Sequence, residues 1–577
     1  MFLLVILISI LDFSYSFKCG HDKIKKIPKI INNSLVKNNT NRRLDTYHPI
    51  SFFIDYTQME KDSIGDSTYI NFLKSAINST LEIFENLIKV KRTEKLVFDT
   101  SLDCYEKITY YDNQLTTTGV DYDIVLIPII DPTLGDGVDA AASACYLNND
   151  NTNKRPIMGF VLLNSNYSYT KNNAKDYLTM LLLHEISHVL VFSNSLFDLY
   201  NYEGNVTTTK IINGIERTLI KTPKVKNIAS QHFNCSSIDG VEIENQGGKG
   251  SAGSHWEARV MLGDYMISTD YPEIVISDIT LALFEDSGWY EVNYYTGGLF
   301  RFGKGQGCKF LNSSCVTSSE SNFEWDFCDT PNEIKCSSNN LNRGFCYLKK
   351  YDSELESHYQ YFDDKNIGGW ESVDYCPITL DYSSNQYYFK SSCIYGELSD
   401  EEKNYPSSLG FKISENSICI QSSLVKSSDI ELKKYAEKRA MCHEILCENE
   451  TKTFIVDIGE FTIDCPTEGG EMEVDGYNGT ILCPPYNRVC TSEEYFADPI
   501  KAVLNKISNS DIDYSFISNE NNENNENNEN NENNENNENN ENNENKNHTI
   551  GDSSSSHKFL EIGLYKYILL LFLYFKN

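Results

Sequence analysis

A chain of 577 residues with 40% hydrophobic content is long enough for several domains and a large core. Its formal net charge of −33 argues against nucleic acid or an anionic membrane surface as partner. Seventeen cysteines fit an oxidising compartment.

Residues 1–16, MFLLVILISILDFSYS, form an apolar run closed by the small-x-small triplet Ser14-Tyr15-Ser16. This reads as a signal peptide cut near Ser16, although the basic n-region is missing. Residues 17–43 are polar and basic and end at Arg42-Arg43, the pattern of a processing site. Globular text follows over 44–192. There PISFFIDY predicts a strand, and 69–91 carries apolar residues at helical spacing (Leu73, Ile77, Leu81, Phe84, Ile88). DIVLIPII (123–130) and RPIMGFVLLN (155–164) read as buried strands, and a helix over 176–192 is expected to start at an Asp176 cap. Strands mixed with helices predict an α+β subdomain.

Residues 193–254 read as loop-rich and close on QGGKGSAGS, within a segment expected to reach residue 300. The segment 301–500 holds short strands, and thirteen cysteines lie between Cys308 and Cys490, which predicts a disulfide-rich C-terminal subdomain. Sequons at Asn78, Asn166, Asn205, Asn234, Asn312, Asn449 and Asn478 agree with secretion. The stretch 501–556 contains an ENN array with nine glutamates over 520–545 and no apolar residue, so it reads as a disordered stalk and not as a coiled coil. The tail, 557–577, ends in an apolar run at 567–575 behind the small residues 551–556. A spanning helix needs about twenty apolar residues. The tail therefore reads as a GPI-attachment signal, with a transmembrane helix as the alternative.

The chemistry concentrates in LLLHEISHVLVF (181–192). His184 and His188 are four residues apart and share one helical face, so two neutral imidazoles can meet one zinc ion. Glu185 lies about a hundred degrees around the helix, where it can take a proton from a water activated by the metal. A buried helix with two satisfied histidines would carry the same apolar residues. HEILC (443–447) has Cys447 in the place of the second histidine and reads as structural. A catalytic zinc needs a third protein ligand. His48, His232, His255, His358 and His443 are candidates, and QGGKGSAGSHWEAR (246–259) singles out His255, after a flexible glycine-rich approach and before Trp256.

The set HEISH, ENQGGKGSAGSHWEAR, GDYMIS, LALFEDSGWYEVNY and GQGCKF resembles leishmanolysin, a surface zinc metallopeptidase family of the metzincin clan, over residues 19–490. The resemblance implies a metzincin-like catalytic domain, a mixed sheet plus active-site helix. One zinc ion would be held by His184, His188 and His255, with Glu185 as general base and Met266 (rather than the nearby Met261) in the turn beneath the metal. It also implies that Cys19, in FKCGHD, is a pro-segment thiolate occupying the open zinc position until cleavage near Arg43. The other sixteen cysteines are then an even number for pairing. Segment 142–160 resembles the family's cleft border, which implies that 157–163 adds a substrate strand; a plain core strand fits the same residues.

One position departs from the pattern. Where the clan has glycine three residues after the second histidine, this chain has Val191, which is costly in a left-handed conformation. The resemblance implies a secreted, cell-surface zinc endopeptidase acting on proteins or peptides, made latent, with a possible role in adhesion. The alternative is a surface adhesion protein on a peptidase scaffold with little or no turnover.

Overall fold

Strands Lys29–Ile31 (β1), Phe52–Ile54 (β2), Ile124–Ile130 (β3), Ala140–Asn148 (β4) and Pro156–Leu163 (β5) form a five-stranded sheet in the order β1-β4-β5-β3-β2. The structure is a computed structural model. It describes residues 19–490 apart from 32–45, 165–173, 247–251, 382–390, 395–401, 429–438 and some shorter stretches. The expected leader, the Arg42-Arg43 pair, the stalk and the C-terminal tail lie outside the described residues. β3 runs parallel to β2 and to β5, whereas β4 is antiparallel to β5. Both faces of β3 to β5 are covered, so nearly every residue in them is buried, and their sequences read as continuous apolar runs.

Helices Ser67–Leu87 (α1) and Ala174–Leu190 (α2) pack against each other, and α2 lies on β4 and β5. The approach of α2 depends on Gly159. A Cβ there would collide with Val189 and come within 2.9 Å of the Ser143 carbonyl. Leu181, Leu182, Leu183, Ile186, Val189 and Leu190 are all buried in the core beneath. Each such side chain contributes about 1.5–3 kcal/mol.

Four sequence expectations need correction. The helix expected over 69–91 stops at Leu87, and Ile88–Lys91 is a strand with alternating burial, as its alternating β-branched and lysine residues favour. α2 begins at Ala174, so Asp176 falls within its first turn and not at the cap. The segment 157–163 cannot add a substrate strand, because β5 is paired on both sides, by β3 and by β4. The outer strand of the pair is β4, whose other edge receives β1. Finally, 193–254 is less irregular than it reads. Thr207–Ile212 (β6), Ile215–Ile220 (β7) and Val241–Ile243 (β8) form a sheet, and Pro223–Phe233 (α3) is a helix. The β6–β7 turn is Asn213-Gly214, with φ of 50° and 80°, as a two-residue hairpin requires.

Beyond residue 300 the chain is mostly short strands, including a six-stranded antiparallel sheet that contains Ser417–Ser422 (β9) and Arg439–Glu448 (β10). Sixteen cysteines form eight disulfides, and Cys19 takes part in none. Six join residues of the 301–490 stretch to one another, where such bonds typically contribute about 2–4 kcal/mol each. Cys235–Cys308 ties the preceding segment to that stretch, and Cys104–Cys145 ties a loop to β4.

Candidate metal centre

α2 presents His184 and His188 one turn apart, and both are buried. His255 arrives 67 residues after His188 on a short stretch held from two sides. Its carbonyl accepts Glu244 N–H at 2.9 Å, and the next residue, Trp256, donates to Met266 O at 2.9 Å. The three imidazoles converge. Nε2 of His188 is 3.0 Å from Nε2 of His184, which is 3.2 Å from Nε2 of His255. Ring centroids are 4.7–5.1 Å apart. Cys19 Sγ lies 3.3 Å from His188 Nε2. One donor atom from each of Cys19, His184, His188 and His255 falls within 4.8 Å of all the others.

The opposite ring nitrogens are hydrogen-bonded outward. His184 Nδ1 donates to the Tyr265 carbonyl at 2.6 Å, and His188 Nδ1 donates to the Phe192 carbonyl at 2.6 Å. A proton on each Nδ1 leaves a bare lone pair on each Nε2. Two lone pairs facing each other at 3.0 Å repel unless a cation lies between them. A tetrahedral zinc ion with bonds of about 2.0–2.3 Å separates its ligand atoms by roughly 3.3–3.5 Å, so the donor set fits. Burial holds both groups neutral. It pushes His184 down to about 4 against the pull of the Tyr265 carbonyl. His188 is lowered well below the usual histidine range by burial and by the imidazoles of His21, His184 and His255.

Glu185 is fully buried on the same helix. Met266 is fully buried in a turn organised by Asp264, whose carboxylate accepts Met266 N–H at 2.7 Å and the Thr280 hydroxyl at 2.8 Å. Thr280 in turn accepts the Trp256 indole N–H at 2.7 Å. Met261 is equally buried but sits on the short helix Ala258–Met261.

The segment around Cys19 is held beside α2 by more than its sulfur. Gly20 N–H donates to Ala140 O at 2.9 Å, and a Cβ on Gly20 would lie 2.8 Å from Val138, so only glycine permits this approach to β4. His21 stacks on His188 with centroids 4.1 Å apart and planes 7° from parallel. Its Nδ1 is 2.5 Å from Ala142 O and its Nε2 2.9 Å from Ser193 Oγ. His21 stands in the FKCGHD motif, where the sequence reading gives a role to Cys19 alone.

A buried charge cluster braces the stretch around His255. Arg217 on β7 reaches Asp374 at 2.5 Å, Glu257 at 3.4 Å and Glu242 at 3.8 Å. Burial works to lower Arg217, and these carboxylates outweigh it and raise it. Burial also pushes Glu242 up to about 6. The four charges come from positions far apart in the chain, and only Glu257, beside His255 and Trp256, carried a signal.

The other histidines stand apart. His48 sits beside Asp123 at 3.4 Å, His358 beside Glu356 at 3.3 Å, and His232 Nε2 donates to Phe302 O at 2.8 Å. His443 lies on β10 and Cys447 is bonded to Cys490.

A family model described as leishmanolysin matches residues 55–495. A leishmanolysin homologue from Crithidia fasciculata is 28% identical over 460 residues, 76% of this chain and 66% of that protein. Leishmanolysin from Leishmania major is 26% identical over 369 residues, 62% of this chain and 57% of its own length. A leishmanolysin-like peptidase from Drosophila pseudoobscura pseudoobscura is 28% identical over 407 residues, 59% of each. The match thus spans 57–66% of the length of these relatives.

Proposed function

The chain belongs to the leishmanolysin family, and on that premise we propose that it is a zinc-dependent endopeptidase of the cell surface, made as a latent zymogen. The observation that carries this reading is the meeting of three imidazole nitrogens and one thiol sulfur, from three separate stretches of chain, within 4.8 Å. His184, His188 and His255 would hold one zinc ion. Zinc supplies Lewis acidity there, which acidifies a water and polarises a peptide carbonyl.

The chain's own residues do the rest. The carbonyls of Tyr265 and Phe192 fix the tautomers of His184 and His188 and make the inward nitrogens better donors. Glu185 takes the proton of the attacking water and returns it to the leaving amine. Cys19 blocks the position where that water would act, while His21, beside Ala142, and β1, paired with β4, tie the pro-segment to that strand. Cleavage near Arg43 releases that segment and bares the outer edge of β4, where the main chain of a protein substrate can pair.

The mixed sheet with antiparallel β4 next to α2, and the buried Met266 turn, support a metzincin-like catalytic domain over 44–192 and 193–300. The disulfide-rich segment 301–500 follows it. Secretion through the 1–16 leader and tethering through 557–577 complete the reading.

The test is casein or gelatin cleavage by the processed protein. Cleavage that a chelator abolishes and added zinc restores, and that Glu185→Ala abolishes with zinc still bound, is expected. Absent or chelator-insensitive cleavage overturns the reading in favour of a surface adhesion protein on a peptidase scaffold.

A further inference from the structure

An α-helix leaves its last carbonyls without partners inside the helix, and a buried helix end must find them elsewhere. α2 ends inside the core, with Val191 and Phe192 fully buried. Family members with glycine after the second histidine can turn there through a left-handed residue. Val191 does not take a positive φ. Instead Val191 N–H makes the ordinary four-residue return to Ser187 O at 2.8 Å, and Phe192 N–H makes a wider five-residue return to the same oxygen at 2.8 Å.

The freed carbonyls are then met one after another by side chains. The Tyr290 hydroxyl donates to Leu190 O at 3.0 Å. The Tyr200 hydroxyl donates to Val191 O at 3.0 Å, an oxygen that also receives Ser193 N–H at 2.9 Å. Phe192 O receives His188 Nδ1 at 2.6 Å. Both tyrosines are buried and their rings are fixed by neighbours. Tyr200 meets Trp289 edge-on at 5.1 Å, and Tyr290 meets Phe284 at 5.5 Å. Phe192 itself packs edge-on against Trp256 at 4.8 Å, the residue after His255. The helix end therefore ties the second and third histidines together.

We infer that Tyr200 and Tyr290 are positioning residues for the metal centre, whose hydroxyls close the helix end in the absence of glycine and so hold the Phe192 carbonyl against His188 Nδ1. This rests on the zinc reading above. Partners that orient a ligand from the second layer typically alter metal affinity by about 10–100-fold. The two hydroxyls act one bond further out, so the lower end of that range is the expected scale.

Zinc release from the full-length protein into an excess of chromogenic chelator measures this without reference to activity. Tyr290→Phe and Tyr200→Phe are each expected to speed release several-fold, and the double variant by about tenfold. Cobalt-substituted protein should show a shifted visible spectrum in the double variant. Tyr351→Phe is the control. Its hydroxyl makes the same kind of bond, to Gly369 O at 2.7 Å, but in the disulfide-rich region. That variant should lose melting temperature and yet release zinc at the wild-type rate. Release unchanged in the double variant, or equally fast in the control, overturns the positioning roles. Wild-type protein that carries no stoichiometric zinc overturns these roles and the zinc reading together.

Discussion

Two stretches of this chain begin with histidine followed by glutamate, and they do opposite things. In HEISH the dipeptide lies on a helix. A four-residue step rises about 6 Å there, and His184 and His188 share one face. Their nitrogens end 3.0 Å apart with Glu185 buried alongside. In HEILC the dipeptide lies on β10. A four-residue step is about 13 Å there, and consecutive side chains face opposite ways. His443 accordingly turns inward, its Nδ1 3.0 Å from Gly410 O, while Glu444 turns outward to Lys412 and Ser414. Cys447, in the place of a second ligand, is used in a disulfide with Cys490. The same two residues make half of the proposed metal site or a core contact according to the backbone period beneath them.

The comparison can be broken by removing matched residues from the two stretches. The largest difference is expected for histidines. His255→Ala takes the third imidazole from the HEISH site and should lower zinc content, measured by elemental analysis of purified protein, from one per chain to near zero. His443→Ala should leave it at one. Equal loss in both would place the metal elsewhere.

The glutamates should differ next. Glu185→Gln should reduce peptide cleavage by the processed protein by about 10²–10⁴-fold with zinc retained. Glu444→Gln, on the solvent side of β10, should stay within about twofold, and a comparable drop there would remove the distinction drawn between helix and strand.

The smallest effect concerns pH. Burial holds His443 down to about 4, from 6.5. Between those values the unfolded chain takes up a proton that the folded chain refuses, so stability falls as pH falls. The slope is about 1.4 kcal/mol per pH unit for one such group, and it vanishes above 6.5 and below 4. Denaturation midpoints of wild type and His443→Gln, followed from pH 7 to 4, should show the wild type losing stability more steeply. Parallel curves would mean that His443 titrates in the fold as it does in the unfolded chain.

Much of this arrangement was legible in the residues, for reasons that also explain what was not. β3 and β5 could be read because uninterrupted Ile, Val and Leu runs bounded by polar residues have few other fates. α2 could be read because its histidines make chemical sense only at helical spacing. β4 was not picked out as an element, since AAASACYLN has neither the bulk nor the alternation of a typical strand; its place is set by α2 and by its neighbours. The change from helix to strand at Leu87–Ile88 was hidden because IKVK continues an apolar pattern with only its phase altered. The β6–β7 hairpin did carry a signal, Asn213-Gly214 between alternating residues, and it was passed over. Val191 raised a question that local propensity could not answer, because its answer lies in hydroxyls 9 residues from Val191 and 100 residues from Leu190. The Arg217 cluster was hidden for the same reason, its members drawn from two strands, a helix cap and Asp374.

X-ray absorption at the zinc edge of the full-length, unprocessed protein tests the centre most directly. Three nitrogen neighbours at about 2.0–2.1 Å and one sulfur at about 2.3 Å are expected, the sulfur giving way to a light atom in Cys19→Ser. A first shell without sulfur in the unprocessed chain, or with more than one, would contradict the account.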